Sequence, residues 1–143
     1  MIRLVGILFA GFALMCLGAQ DKDATGKDTK QLQGTWEAVK INSEELPPDK
    51  DKKITLTFKG NSITSSLNKK LKFKIDAGKK PKQIDFYPED KDQKKVLGIY
   101  KLENGTLTIC TYHIGMGQPR PKNFRVAPGK EMFVLEMKRV DKK

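Results

Sequence analysis

Cysteine and histidine are scarce in this sequence, which has two cysteines, Cys16 and Cys110, and one histidine, His113. A zinc site needs three or four cysteine, histidine or carboxylate ligands, and no acidic cluster stands beside these residues. A cysteine nucleophile needs a base within hydrogen-bond reach, whereas strand positions three apart, such as Cys110 and His113, point to opposite faces. These two could meet only if the strand ends by Tyr112. We therefore predict no metal site, no cofactor and no catalytic residues. An unrecognised hydrolase is the one enzymatic exception left open.

The N-terminal residues differ in composition from the rest of the chain. Arg3 is followed by an uncharged, mainly apolar run over 4–17 and by the small pair Gly18-Ala19. A positively charged N-terminus, a short apolar core and small residues at the cleavage site are typical of a secretion signal. Fourteen residues in a helix span only ~21 Å, less than the ~30 Å hydrocarbon layer of a membrane. We predict a signal peptide over 1–19, cleaved near Ala19, with no transmembrane segment in the mature chain.

Cleavage near Ala19 defines the compartment and the redox chemistry. The protein is then periplasmic or secreted, and Cys110 is left without a disulfide partner within the mature chain, so packing alone holds the domain together. In an alternative that stays open, Cys16 is acylated as in bacterial lipoproteins. Met15 stands where such signals carry a small residue, which favours cleavage after Ala19.

The chain is basic, with 28 lysines and arginines against 17 acidic residues and a net charge of +11. Lysine supplies most of this charge and is interspersed with aspartate, for example over 49–53. Nucleic-acid binders concentrate basic residues on one surface and interleave stacking aromatics. We predict no nucleic-acid partner. Attraction to an anionic envelope polymer or to lipid head groups is the functional interpretation of the charge.

Two different segments follow the signal. Residues 20–31 are polar, charged and aperiodic, and we expect a disordered tether there. Residues 32–140 form one domain with repeated alternation of apolar and polar residues, which predicts β-strands. Eight strands are predicted, at 34–41, 54–58, 62–67, 71–75, 83–87, 96–102, 106–111 and 132–139. Mostly short connections without a long crossover favour an all-β, up-and-down antiparallel eight-stranded barrel, because closure removes exposed strand edges.

Several short motifs point to a family. They are LQGTW at 32–36, ITLTFKG at 54–60, KPKQID at 80–85, LGIY at 97–100, LTIC at 107–110, RP at 120–121 and Phe124. In order and spacing they resemble an uncharacterised exported domain family that is heavily duplicated in planctomycete genomes. The resemblance extends over about 32–140. It implies a lipocalin-like fold and an exported protein, and brings no established activity, ligand or catalytic residues.

A second, shorter likeness is to lipocalins themselves. Gly34-Thr35-Trp36 on the first strand matches their Gly-x-Trp motif, and Arg139 on the last strand is placed to cover the indole. In lipocalins such a pair closes the floor of the barrel. We expect Trp36 and Arg139 to be structural residues of the barrel floor.

The connection over 112–131 is long and rich in glycine and proline, and long loops in compact domains are often functional. Arg120, held between Pro119 and Pro121, is placed to cap the barrel mouth and pair with an anionic ligand. It could equally bind a carbonyl at a strand end. We name Tyr100, His113 and Arg120 as the candidate ligand contacts.

A stripe of like charge, Lys70, Lys72 and Lys74, alternates with apolar residues on one predicted strand. Same-face residues lie ~6.6–7 Å apart, within the ~8 Å screening length at physiological salt, so their fields add. Protection of a strand edge against pairing is the favoured explanation. Contact with anionic polysaccharide or lipid is the functional one.

Two functions remain open at this stage. The first is an exported, non-enzymatic interaction or envelope-associated barrel module of unknown partner. The alternative is a lipocalin-like binder of a small apolar or amphipathic ligand at the barrel mouth. An apolar content of only 38% favours the first, because few side chains remain to line a large cavity.

Overall fold

The structure is a computed structural model that describes residues 19–47, 53–113, 117–126 and 131–140, with only the backbone described over 19–23. The described residues form one helix and nine strands. They are α1 (Ala19–Leu32), β1 (Gly34–Ile41), β2 (Glu44–Glu45), β3 (Thr55–Lys59), β4 (Ser62–Ser65), β5 (Lys70–Asp76), β6 (Lys82–Pro88), β7 (Val96–Glu103), β8 (Thr106–Tyr112) and β9 (Met132–Arg139). The predicted signal peptide lies almost wholly outside these residues.

Eight strands form a closed barrel. From β3 to β9 each strand pairs with the next in antiparallel fashion, β1 pairs with β3 on one side, and β1 pairs with β9 on the other. This closure confirms the predicted all-β, up-and-down eight-stranded lipocalin-like barrel. The additional strand β2 is a two-residue pairing with the end of β1, which the sequence analysis misses.

Side chains fill the barrel interior. Alternate residues of each strand point inward, and the largest of them are almost fully buried. The Phe58 and Phe73 rings meet edge to face with centroids 5.2 Å apart. The buried interior cluster consists mainly of Trp36, Phe58, Ile63, Phe73, Ile84, Phe86, Tyr100, Leu107, Ile109 and Met137. The core is therefore made of the apolar faces that the alternation predicts.

The helix α1 is a correction to the sequence analysis, which expects a disordered tether over 20–31. Thr25, Asp28 and Leu32 lie on one helical face because they are three and four residues apart. Leu32 is 0% exposed and Asp28 only 6%. The Thr25 hydroxyl accepts a hydrogen bond of 3.0 Å from Ala77 N, and Trp36 Nε1 donates one of 2.9 Å to the Leu32 carbonyl. Contacts with the barrel end stabilise a helix that its polar composition does not predict.

A second, smaller apolar cluster lies on the outer face of the barrel. Ile99, Cys110, Met132 and Val134 point outward from β7, β8 and β9 and are buried beneath Phe124 and the half-buried Tyr112. The segment 117–126 thus covers the outside of the wall. This covering explains why residues on both faces of β7 and β8 are buried, without a break over 98–100 and 107–111.

Among the helices that the structure describes, none combines the length and the apolar character needed to cross a membrane.

Candidate functional site

The three predicted ligand contacts lie in three different places. Tyr100 lies inside the barrel at the end that α1 covers, and Arg120 lies against the outer wall. His113 follows β8 at the opposite end of the barrel. Ile109 is the cross-strand partner of Tyr100, and His113 lies four residues, or ~13 Å along the chain, beyond Ile109. The structure does not bring these residues together into one site at the barrel mouth.

Tyr100 belongs to a buried polar network that the sequence analysis misses. Its side chain is 0% exposed, and its hydroxyl donates a hydrogen bond of 2.7 Å to Asp28 Oδ2. Lys82 Nζ lies 2.8 Å from the same carboxylate oxygen. Burial, followed by the adjacent Asp28 carboxylate, raises the pKa of Tyr100 far above its ordinary value. The network therefore holds α1 against the barrel through the hydrogen bond from the protonated Tyr100 and the salt bridge from Lys82, both to Asp28.

Arg120 contacts two residues within the barrel strands, and neither is the strand-end carbonyl that the sequence analysis names. Its Nη1 donates a hydrogen bond of 2.8 Å to the Gly98 carbonyl and lies 2.7 Å from Asp85 Oδ1. Both partners belong to the barrel wall, on β7 and β6. The guanidinium is thus engaged by the protein itself, and it anchors the segment 117–126 on the outer face of the barrel.

Cys110 and His113 have different surroundings. Cys110 is 0% exposed, its Sγ donates a hydrogen bond of 3.6 Å to the Asn123 carbonyl, and burial raises the pKa of the thiol to about 11. A thiol kept protonated in this way is the opposite of an activated nucleophile. His113 is exposed, and its ring lies 5.3 Å from that of Phe133. Within the described ranges, no group of three or more potential metal ligands is found.

Trp36 and Arg139 are cross-strand partners where β1 and β9 close the barrel. The guanidinium carbon of Arg139 lies 4.6 Å from the centre of the Trp36 ring, within cation–π range. The same guanidinium donates to the carbonyls of Gln31 and Gln33, at the end of α1. The pair therefore seals the helix-covered end of the barrel and joins the helix to it.

Lys70, Lys72 and Lys74 are exposed on the outer face of β5. This strand pairs with β4 on one side and β6 on the other, so it has no free edge. The favoured explanation, protection of an edge, is therefore wrong for the folded barrel. Among the described residues none of the three lysines forms an ion pair, and Lys74 Nζ lies 5.8 Å from the ring centre of Tyr87. We call these three residues the β5 lysine stripe.

Two of the clefts on the described surface are lined by charged side chains. One, of about 450 Å³, is lined by residues of both charge signs, among them Lys40, Glu45, Glu136 and Lys138. The other, of about 360 Å³, lies at the rim of the helix-covered end and is lined by four lysines together with apolar side chains.

Comparisons of the chain with protein families, with curated proteins and with solved structures found no match.

Proposed function

We propose that this protein is an exported, non-enzymatic binding module that contacts anionic polysaccharide of the cell envelope through the β5 lysine stripe. The observation that carries the proposal is three exposed ammonium groups without an ion-pair partner among the described residues. Export is inferred from the sequence pattern over 1–19.

The surroundings of the stripe leave its charge uncompensated. On β4 the cross-strand neighbours of Lys72 and Lys70 are Ser62 and Thr64, which carry hydroxyl groups and no charge. On β6 the neighbour of Lys74 is Asp85, and that carboxylate pairs with Arg120. Like charges so close together repel unless an anion lies between them. A polyanion bound along β5 would relieve this repulsion and gain hydrogen bonds from the hydroxyls of β4.

The alternative, a small apolar or amphipathic ligand at the barrel mouth, has less support. Such a ligand needs an apolar cavity, and the described interior is occupied by a packed cluster that includes Trp36, Phe58 and Phe73. Native mass spectrometry of the protein purified from its own host tests this alternative. A co-purified small molecule, bound at one per chain, would favour it over the polysaccharide proposal.

The test replaces Lys70, Lys72 and Lys74 by glutamine together and measures binding to heparin and to isolated anionic envelope polysaccharide. The control replaces Lys91, Lys94 and Lys95, exposed in the β6–β7 connection, and removes the same charge. We expect about tenfold weaker binding for the stripe variant at low salt, given a few tenths to ~1 kcal/mol per exposed contact. The difference should shrink at higher salt.

Equal losses in the two variants would show that only net charge matters and would overturn the proposal. So would unchanged binding of the stripe variant. A third arm uses vesicles of phosphatidylglycerol. If only the vesicles distinguish the stripe variant from the control, the partner is a lipid surface and the polysaccharide proposal is wrong.

A further inference from the structure

We infer that the cleft of about 360 Å³ at the rim of the helix-covered end binds a small organic anion, one with an apolar or aromatic body and a carboxylate, sulfonate or phosphate group. We call it the basic cleft; four lysines line it, Lys79, Lys80, Lys82 and Lys101. Its volume lies in the range of small-molecule sites.

The charge in the basic cleft is only partly compensated. Lys82 pairs with the buried Asp28, and Lys101 Nζ lies 3.9 Å from the exposed Glu103 carboxylate. Lys79 and Lys80 form no ion pair within the described part of the chain. The lining therefore keeps a positive excess, and this excess is concentrated in the connection between β5 and β6. An anionic group in the cleft would meet two ammonium groups that have no carboxylate of their own.

The basic cleft also has an apolar wall, which distinguishes it from a solvated lysine surface. Phe124 lines it on the outer side of β7, where Lys101 Nζ lies 5.0 Å from the centre of the ring, and Leu102 lines it on the inner side of the same strand. An aromatic anion against this wall can bury its ring on Phe124 while its charge meets the lysines. The combination selects an organic anion over an inorganic one.

Both sides of the cleft are held in place before any ligand binds. Phe124 comes from the segment 117–126, which Arg120 anchors to Asp85 and Gly98 and whose Pro121 is buried. The floor contains Tyr100 and Lys82, which both bind the Asp28 carboxylate. A preformed site loses little conformational entropy when a ligand binds.

This inference is independent of the proposed polysaccharide contact. The β5 lysine stripe lies on the outer face of β5, whereas the unpaired lysines of the basic cleft follow that strand, in its connection to β6. Two lysines of the stripe can therefore serve as the charge-matched control for the two unpaired lysines of the basic cleft. Failure of one proposal leaves the other standing.

The experiment titrates the purified protein with naphthalene-2-sulfonate and follows backbone amide shifts by two-dimensional NMR. We expect the shifts to concentrate at Lys80, Lys82, Leu102 and Phe124. The Lys79→Gln/Lys80→Gln variant should bind about fivefold more weakly, the loss expected for two exposed charge contacts. The Lys72→Gln/Lys74→Gln variant removes the same charge and should bind like the wild type. Amide spectra without probe verify that both variants remain folded.

Two further arms separate the roles of charge and ring. Naphthalene-2-methanol, the neutral analogue, should shift the same amides only at concentrations about tenfold higher, and sulfate alone should leave Phe124 unshifted. The inference is overturned if the sulfonate shifts spread over the whole basic surface. It is equally overturned if both double variants weaken binding alike, or if the neutral analogue binds as tightly as the sulfonate.

Discussion

Arg120 and Asp85 form an ion pair of 2.7 Å between the segment 117–126 and the middle of the barrel wall, with about a fifth of each side chain exposed. The pair has two consequences. It fixes the segment that covers the outer apolar cluster and supplies Phe124 to the basic cleft. It also occupies the carboxylate that lies across the strand pair from Lys74, so the β5 lysine stripe keeps its charge.

Replacing Arg120 by alanine should destabilise the protein by ~1–3 kcal/mol, because Asp85 then keeps a half-buried charge without its partner. Urea unfolding measures the effect. Arg125→Ala is the control, since Arg125 is exposed in the same segment and should cost little. The double variant Arg120→Ala/Asp85→Ala should recover part of the loss. Equal losses for Arg120→Ala and Arg125→Ala would contradict the anchoring role.

Tyr100→Phe should cost ~1–2 kcal/mol at neutral pH, because Asp28 loses one buried hydrogen bond. The variant should also change the pH dependence. The pKa of Tyr100 is raised in the fold, so its contribution is complete below the unfolded value near 10 and is lost as pH rises above it. Each ionisation of this kind lowers the unfolding free energy by ~1.4 kcal/mol per pH unit. Unfolding free energies from pH 8 to 11 should therefore fall less steeply for the variant, and parallel curves would refute the buried, protonated tyrosine.

Cys110 should be inert in the native protein. Its thiol is buried, and with a pKa raised to about 11 only a very small fraction is thiolate at pH 8. We expect no reaction with an aromatic disulfide reagent over an hour, and complete reaction in urea. Rapid modification of the folded protein at pH 8 would show an accessible, activated thiol and would reopen a catalytic role.

Replacing Gly34 or Gly26 by alanine should change the stability of the protein in opposite directions. Gly34 has a φ of +116°, and a Cβ there would lie 2.9 Å from Arg139 Nη1, so Gly34→Ala should cost ~1–3 kcal/mol. Gly26 lies within α1 with nothing within 4 Å of its added Cβ, and Gly26→Ala should stabilise by ~0.5–1 kcal/mol. Thermal unfolding distinguishes the two. A loss of stability in Gly26→Ala would mean that the helix does not form as described.

Phe73→Ala should cost ~3–5 kcal/mol, because it removes a buried ring packed edge to face on Phe58. The neighbouring Lys72→Ala removes a side chain from the outer face of the same strand and should cost less than ~0.5 kcal/mol. The unfolding free energies of the two variants, measured by chemical denaturation, show which face of β5 is buried. Similar values for the two variants would mean that the inward and outward faces are wrongly assigned.

The sequence by itself was sufficient to predict the barrel. Alternation with period two is a local property, and it places all eight barrel strands within about two residues of their observed bounds. Short connections make successive strands neighbours, and the glycine-tryptophan motif and Arg139 lie where the first and last strands meet. The apolar set of β5 faces inward because period two leaves no other arrangement.

Only the tertiary structure decided where the polar side chains meet. Asp28 and Lys82 are separated by 54 residues, and neither the helix that carries Asp28 nor the partner of Arg120 follows from any local pattern. A charged side chain is compatible with solvent at any position, so its sequence context does not select one partner among many. The lysines of the basic cleft come from two separate parts of the chain and are brought together only when β6 pairs with β7. Apolar burial is determined by local periodicity, whereas the pairing of charges is determined by long-range chain geometry.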